Sequence, residues 1–466
     1  MAEVPVSKET HEAVQAALAS LTRFTASLQW SDLPAEVQVR AATVFCDDLT
    51  AMISARAEPE LAALREGVAK ASGPGEATVF DGSNPPQRLD RYSAALVNGT
   101  AADWAELDGG YRAVVCHAAL YAIPALLAEA EAADASLQDL LLALVVGYET
   151  VARTAHAFTF PGLVLHPHGG LATVGAAAAI AKLRGFDAEM AAKAIATAAT
   201  LCLPGPFNHA VTGALIRNVW PGLCAQNGIR AADWTPLGIT GSPWSLTEVF
   251  ADIMSGETDA EAYTRDLGES WAILGGYHKM HACCQYAHST VEAVLQALDG
   301  KTVSADQVQA ITVATHWKGR KLDRPQPETS LAAKFSIQHI AVATLLNGHA
   351  GATAFSAESL VDPTMSRLRD LVAIEAYPEE LPWPNDRPAR VTITLTDGTM
   401  LDGTCLSAPG GADQPFSKEQ IEAKIIDNLR PAYPTGEGVL RRILSLDVES
   451  LNASWRATVA EIVERS

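Results

Sequence analysis

Residues 275–288 read GGYHKMHACCQYAH, and the predicted secondary structure of the chain changes at this stretch. Before it, roughly 270 residues carry apolar side chains at the spacing of helices. After it, residues 308–316 and 389–396 alternate in polarity, which predicts strands, and residues 331–346 between them predict a helix. Asp397-Gly398 follows the second strand and predicts a hairpin turn.

Helical spacing returns towards the end of the chain, where Ser417 is placed to cap a helix that runs to Leu429. We therefore predict a mainly α fold, in which a smaller α+β lid domain is inserted into a large all-helical domain. The large domain is predicted to contain residues 1–271 and 409–466, and the lid residues 272–408. A cleft between two domains is the default binding site.

Several helices of the large domain have boundaries that the sequence predicts. These helices span residues 91–97, 118–130, 136–157, 171–184, 188–203 and 243–254. The first is expected to stop at Asn98-Gly99, and residues 103–112 are expected to form a polar loop.

Composition excludes several classes of function. The net charge of −20 argues against nucleic-acid binding, which needs clustered Lys and Arg. The apolar runs are too short or too interrupted to span a bilayer, and residues 1–20 lack the apolar core of a signal peptide. Seven cysteines without regular spacing do not form a disulfide framework. We expect a soluble, reduced, cytoplasmic protein.

The stretch 275–288 also has unusual chemistry. It holds three of the twelve histidines, two tyrosines and Lys279, but no acidic residue. This combination suits the binding of a small anion and the transfer of a proton. Metal binding by His281, Cys284 and His288 is a less favoured interpretation, because the stretch offers no acidic ligand and the chain has no Cys-x-x-Cys pair. The cysteines are more simply interpreted as buried apolar residues.

Two further segments carry candidate anion-binding groups. His166 and His168 lie beside proline and glycine just before an apolar helix, where a helix N-terminus can meet an anion. A surface turn is an equally good interpretation of that loop. Arg217 lies among small residues and can bind a carboxylate through its planar guanidinium, unless it is a solvated charge on a helix.

Five motifs, in order along nearly the whole chain, resemble those of the MmgE/PrpD family. In NGTAADWAELDGGYRAVVCHAAL, Asn98-Gly99 and His117 match the family pattern. Asp103 stands where the family has a histidine, and its acidic core corresponds to residues 106–109, which include Asp108.

The other four motifs match with some changes. They are the His-Pro of residues 166–168, residues 213–222 with Arg217 in place of lysine, residues 279–288 beginning at Lys279, and residues 333–339 with His339 in place of tyrosine.

The resemblance implies a helical domain with a smaller lid, a homodimer, and no metal or organic cofactor. It implies small di- or tricarboxylates as substrates, and family activities that include 2-methylcitrate dehydration, cis-aconitate decarboxylation and iminodisuccinate epimerisation. Their shared chemistry is proton transfer next to a carboxylate, which needs a base and a stabilised enediolate.

The altered acidic loop leads to the prediction of an epimerase of the iminodisuccinate type. The expected catalytic residues are Lys279, His117, His166 and Asp108, with Lys279 and one of the two histidines as the bases. The expected substrate-binding residues are Arg217, His168, His339, His281 and Tyr286. A hydro-lyase of the 2-methylcitrate dehydratase type and a non-catalytic dicarboxylate-binding protein are the alternatives.

Overall fold

A computed structural model describes residues 6–464 of the chain. The outermost ends of the predicted large domain, residues 1–5 and 465–466, lie outside the described residues. No helix in the described part of the chain combines the length and apolar character needed to cross a bilayer.

Helices form most of the structure before residue 275. They are α1 Lys8–Ser27, α2 Ala35–Ser54, α3 Pro59–Ala69, α4 Arg91–Trp104, α5 Ile123–Ala133, α6 Leu137–Ala157, α7 Pro167–Gly170, α8 Ala172–Leu183, α9 Ala188–Ala199, α10 Asn208–Thr212, α11 Ile216–Trp234 and α12 Ser245–Thr247. Three two-stranded pairings join loops around this bundle. Their strands are β1 Ala77–Thr78 with β2 Arg88–Leu89, β3 Gly110–Tyr111 with β6 Gly276–Tyr277, and β4 Phe158–Thr159 with β5 Glu257–Thr258.

Sequence explains the close packing of this bundle. Alanine and glycine fill the contacts of α8 with α6 and α11, because small side chains allow helix axes to approach closely. One tight contact is between α4 and α11, where a Cβ built on Gly99 would lie 2.6 Å from the Cα of Gly222. Any side chain at Gly99 would therefore push the two helices apart.

The smaller α+β part follows. Its helices are α13 His288–Leu298, α14 Ser330–Lys334, α15 Ile337–Asn347, α16 Ala357–Val361 and α17 Pro363–Arg369. Its strands are β7 Val308–Thr315, β8 Val372–Ala376, β9 Ala389–Leu395 and β10 Met400–Cys405, in the order β10-β9-β7-β8. Strand β8 is parallel to β7, and the other two pairings are antiparallel. Helices α13 and α15 pack together, and α13 lies against β9 and β10.

The chain then returns to the helical part through α18 Lys418–Leu429, α19 Glu437–Leu444, α20 Val448–Asn452 and α21 Trp455–Val463. Helix α18 packs on α2, so the end of the chain belongs to the helical bundle. The backbone N–H of His278 donates to the carbonyl of Gly410 (3.0 Å), so the two passages of the chain between the parts lie side by side. The mainly α fold with a smaller α+β part is confirmed, while the exact domain boundaries stay a prediction.

Five predicted helices differ from the structure, and one of them, predicted for residues 188–203, ends at Ala199. Helix α4 does not stop at Asn98-Gly99, because Asn98 turns inward and donates to the carbonyl of Thr78 (2.9 Å), and the helix continues to Trp104. Residues 118–122 form turns, so α5 begins only at Ile123. The predicted helix 331–346 is split between α14 and α15, and Ser336 caps the second piece. Residues 245–253 form a short helix followed by a wide π-type turn.

Candidate active site

The segment after α4 brings three carboxyl groups into the interior. Asp103 is the next-to-last residue of α4, and Glu106 and Asp108 follow it, all fully buried. Glu106 has a φ of 53°, in the left-handed region that residues other than glycine rarely adopt. Beyond Asp108, Gly110 pairs with Tyr277 in the two-stranded contact between β3 and β6. This pairing carries the acidic segment to the stretch that holds Lys279.

Lys279 is buried among these carboxyl groups. Its Nζ lies 3.2 Å from Glu106 Oε2 and 3.4 Å from Asp108 Oδ1. Burial alone would lower the pKa of the Lys279 ammonium, but Asp108 and Glu106 outweigh it and raise that pKa well above its ordinary value. At neutral pH Lys279 therefore keeps its proton. Lys279 lies at the predicted site, and its expected role as a base stays a prediction.

Arg217 is compensated in the same way. Its Nη1 lies 2.6 Å from Asp103 Oδ2 and 2.5 Å from Glu106 Oε1. Burial opposes ionisation of Glu106, but Arg217 and Lys279 lower its pKa, whereas burial, with Glu106 and Asp108 nearby, raises the pKa of Asp103. Arg217 is therefore held by carboxylates of the protein itself, and its guanidinium stacks against the ring of Phe335.

His117 and Asp108 form a pair at the surface of the cluster. His117 Nδ1 lies 2.6 Å from Asp108 Oδ2, while the imidazole side chain is 15 % exposed. Burial opposes ionisation of Asp108, but Lys279 and His117 hold its pKa well below the ordinary value. A carboxylate that accepts from Nδ1–H fixes the tautomer and leaves Nε2 as the reactive nitrogen. Within residues 6–464, His117 Nε2 has no hydrogen-bond partner.

His166 and His168 have different positions. His168 is fully buried, and its two ring nitrogens lie 2.9 Å from the Tyr121 hydroxyl and 2.9 Å from Asp103 Oδ1. His166 Nε2 lies 3.3 Å from Arg217 Nε, and burial, Arg217 and His117 lower the pKa of His166 well below its ordinary value. His166 is thus a neutral imidazole beside the cluster, and His168 supports Asp103 from behind.

A small cavity opens onto this cluster. Its polar lining side chains are Glu106, Tyr111, His117, His166, Arg217, Tyr277, Gln285, Tyr286 and Arg387. The first five come from the helical part, and the last four come from the stretch 275–288 and the loop before β9. The cavity therefore lies at the junction of the two parts, where the sequence places the binding cleft. A larger groove, around Val39 and Phe416, is lined by no histidine.

Two predicted substrate-binding histidines do not line this cavity. His339 Nε2 donates to the carbonyl of Ala354 (3.0 Å), and its Nδ1 accepts from Arg369 Nη1 (3.1 Å), inside the α+β part. His281 Nε2 lies 2.7 Å from Glu292 Oε1. Both histidines thus bind to other residues of the α+β part, so the structure gives no support to their substrate-binding roles. Tyr286, in contrast, lines the cavity as predicted.

The two histidines of the metal interpretation, His281 and His288, have other partners in the structure. His288 Nε2 lies 3.1 Å from the carbonyl of Cys283, and His281 is paired with Glu292. No group of three His, Cys, Asp or Glu side chains among residues 6–464 is arranged to hold a metal ion.

Sequence reasoning missed five of the polar residues that line the cavity, namely Glu106, Tyr111, Tyr277, Gln285 and Arg387. Arg387 and Gln285 line the cavity, and Glu106 joins the two buried cations. Glu106 lies in the acidic core that the family motifs mark, so that signal was available. Arg387 stands in an irregular loop between β8 and β9, and no spacing or motif distinguished it.

These observations define a class of protein: a mainly helical protein of two domains, with a buried acid–base cluster at their junction. The sequence profile of the MmgE/PrpD N-terminal domain matches residues 19–262, and that of the MmgE/PrpD C-terminal domain matches residues 281–449. The chain belongs to the MmgE/PrpD family.

Curated relatives of the chain are enzymes. The cis-aconitate decarboxylase-like protein oryM of Aspergillus oryzae is 26% identical over 435 residues, which are 87% of this chain and 89% of that protein. The cis-aconitate decarboxylase of Homo sapiens is 26% identical over 381 residues, 78% of each chain. The enzyme of the same name from Mus musculus is 26% identical over 361 residues, 74% of this chain and 73% of its own. These relatives support an enzymatic role.

Proposed function

We propose that this protein is a lyase for a small tri- or dicarboxylate, in which His117 transfers a proton at a carbon next to a carboxylate. The observation that carries the proposal is the His117–Asp108 pair, since Asp108 orients the imidazole and leaves Nε2 towards the cavity. A proton donor or acceptor held in this way contributes about 10²–10⁴-fold to a rate. The relatives named cis-aconitate decarboxylase support a lyase over an isomerase.

A decarboxylation at this site begins at the carboxylate that the substrate loses. The bond between the substrate carbon and the departing carboxylate breaks, and CO₂ leaves. The electron pair stays on the conjugated carbon framework, which takes a proton from protonated His117 Nε2. Water then returns a proton to His117. Asp108 stabilises the imidazolium before the transfer, and the ammonium of Lys279 keeps Asp108 ionised.

The epimerase that the sequence predicts is the second candidate. Its support is that two imidazoles, His117 and His166, line the same cavity, as a reaction with two acid/base groups requires. In this scheme the second base is a histidine instead of Lys279, because Glu106 and Asp108 form ion pairs with the Lys279 ammonium and hold its proton. A hydro-lyase also fits His117 as the base, with loss of water instead of CO₂.

One experiment separates these reactions. The protein is incubated in D₂O with cis-aconitate, 2-methylcitrate or iminodisuccinate, and each mixture is followed by NMR. Loss of CO₂ with deuterium at carbon supports the decarboxylase, loss of water supports the hydro-lyase, and deuterium at the α-carbon alone supports the epimerase. His117→Gln should abolish the reaction found, whereas His349→Gln, at an exposed histidine, should not. Ligand binding without turnover would instead indicate a non-catalytic binding protein.

A further inference from the structure

The cavity has a different charge on its two sides. On the helical side, Arg217 and Lys279 lie against Glu106 and Asp108, so each buried cation is compensated by a carboxylate of the protein. Asp103 adds a third carboxyl group to the same cluster. Among residues 6–464, this side therefore has no cation left over for a second or third carboxylate of a substrate.

The opposite side presents Arg387, from the loop that precedes β9. The Arg387 side chain is 6 % exposed and lines the cavity, with its guanidinium stacked over the ring of Tyr286 at 5.1 Å. Its Nη1 donates to Gln285 Oε1, and its Nη2 donates to the carbonyl of Arg112 (3.1 Å). These neutral acceptors orient the guanidinium without neutralising it.

One nitrogen of Arg387 lacks a hydrogen bond. Nε is buried and has no hydrogen-bond partner among the described residues, and the nearest carboxylate oxygen recorded for it is Asp386 Oδ2, at 3.4 Å. Asp386 is also shared, because its Oδ1 accepts from Arg112 Nη2 at 2.8 Å. A buried donor of this kind costs stability unless a partner is supplied, and an anionic ligand can supply one.

The surroundings of Arg387 leave a positive excess. Arg112 and Lys318 are two further cations near Arg387. After burial, the charge of Arg387 contributes to lowering the pKa of each of them. Against these three cations stand two carboxylates, Asp386 and Asp413. An anion placed at Arg387 would therefore restore the charge balance of this side of the cavity.

We propose that Arg387 is the anchor for a carboxylate of the substrate that lies away from the reacting carbon. This inference rests on the proposed function and deepens it, because it assigns the substrate's orientation: the remote carboxylate lies on the guanidinium, and the reacting carbon faces His117. Gln285 holds Arg387 in place, and Tyr286 supports its flat face. Arginine suits this task because its rigid donors match the geometry of a carboxylate.

The consequence is a preference for substrates with an additional carboxylate. A ligand with three carboxylates can use Arg387 and the His117 end of the cavity together. A ligand that lacks the remote carboxylate loses the contact with Arg387 and binds more weakly. The same contact should be lost when Arg387 is replaced.

The test is a binding measurement with an unreactive probe. Propane-1,2,3-tricarboxylate is saturated and cannot be decarboxylated to the conjugated product, so calorimetry reports its affinity without turnover. Arg387→Gln should weaken its binding about 10- to 100-fold, as expected for loss of a hydrogen bond to a charged group. The affinity of Arg387→Lys should lie between those of the unchanged protein and Arg387→Gln, because lysine keeps the charge but not the paired donors. Arg390→Gln, at an exposed arginine of β9, is the control and should bind like the unchanged protein.

A second probe identifies which carboxylate Arg387 serves. Propane dicarboxylates such as glutarate, which have one carboxylate fewer than the tricarboxylate, should bind weakly and with nearly equal affinity to the unchanged protein and to Arg387→Gln. Equal binding of the tricarboxylate to the unchanged protein, Arg387→Lys and Arg387→Gln would overturn the proposal, as would the absence of any binding to the unchanged protein. Because no turnover is needed, tight binding that depends on Arg387 supports the anchor even if the proposed lyase reaction is not found.

Discussion

His117 Nδ1 and Asp108 Oδ2 lie 2.6 Å apart, and Asp108 Oδ1 faces Lys279 Nζ at 3.4 Å. One carboxylate thus connects a partly exposed imidazole to a fully buried ammonium. The pair combines a fixed imidazole tautomer with a carboxylate that stays ionised, which is the arrangement an acid–base catalyst needs.

Asp108→Asn tests this connection. The neutral amide no longer stabilises the imidazolium, and its N–H₂ group favours the wrong tautomer of His117. We expect kcat for the substrate found to fall by about 10²-fold or more, while KM changes much less. Steady-state kinetics give both values. Glu292→Gln is the matched control, since Glu292 forms a similar 2.7 Å pair with His281 outside the cavity, and it should leave kcat unchanged.

His339 separates a structural role from a binding role. Its ring contacts Arg369 Nη1 (3.1 Å) and the carbonyl of Ala354 (3.0 Å), both in the α+β part. His339→Ala should lower the free energy of unfolding by about 1–3 kcal/mol, because buried donors and acceptors lose their partner. KM should remain within about twofold of the unchanged value, a factor that corresponds to well under 1 kcal/mol. A large rise in KM with unchanged stability would restore the role predicted from the sequence.

Lys279→Met should destabilise the fold strongly. Removal of the ammonium leaves Glu106 and Asp108 buried with one cation fewer, and breaking a buried ion pair costs about 3–5 kcal/mol. Urea unfolding followed by circular dichroism measures the change. In the control Lys193→Met, the broken pair with Glu189 is about half exposed or more on both sides, so the change should stay below about 1 kcal/mol. Similar losses for the two variants would contradict the structure.

Asp48 gives a prediction about pH. Its Oδ1 accepts from the backbone N–H of Gly109 (2.9 Å), and burial, with Asp108 and Asp47 nearby, raises its pKa to about 8. In the unfolded chain the same carboxyl group has a pKa of about 3.9. Between these values the folded protein binds one proton more than the unfolded chain, so this group makes the fold less stable as pH rises from about 4 to about 8.

Asp48→Asn removes that dependence while keeping an oxygen for the Gly109 N–H. Relative to the unchanged protein, the variant should gain stability from pH 5 to pH 8, by up to about 4 kcal/mol. Denaturant unfolding at both pH values measures it. Asp47→Asn is the control of opposite sign: it leaves Lys424 (2.7 Å) and His278 (2.6 Å) without their carboxylate and should lose stability at both values. An equal pH dependence in Asp48→Asn and the unchanged protein would show that Asp48 is ionised in the fold.

Local patterns predicted much of the fold. The Asp397-Gly398 turn joins β9 and β10 as expected, with Gly398 at a φ of 85°. Ser417 caps α18 and accepts from the backbone N–H of Gln420. These features depend on neighbours in sequence, and a pattern of a few residues contains the information that fixes them.

The electrostatics of the site were not predictable in the same way. The stretch 275–288 has no acidic residue, but Lys279 meets Glu106 and Asp108, which lie more than 170 positions earlier in the chain. A lysine that looks free in the sequence is therefore neutralised in the structure. The charge of Arg217 is likewise balanced by Asp103 and Glu106. Arg387 also lines the cavity, shares its carboxylate partner Asp386 with Arg112, and lies in a loop that no periodicity marks.

The contact between Gly99 and Gly222 has a consequence for how the cavity adapts to ligands of different width. Asp103 belongs to α4 and Arg217 to α11, and at Gly99 the backbones of these helices leave no room for a methyl group. The wall of the cavity that carries the ion pairs is therefore fixed by the close packing of these two helices. To accept a bulkier acid, the cavity has to widen on the opposite side, where Arg387 lies in an irregular loop.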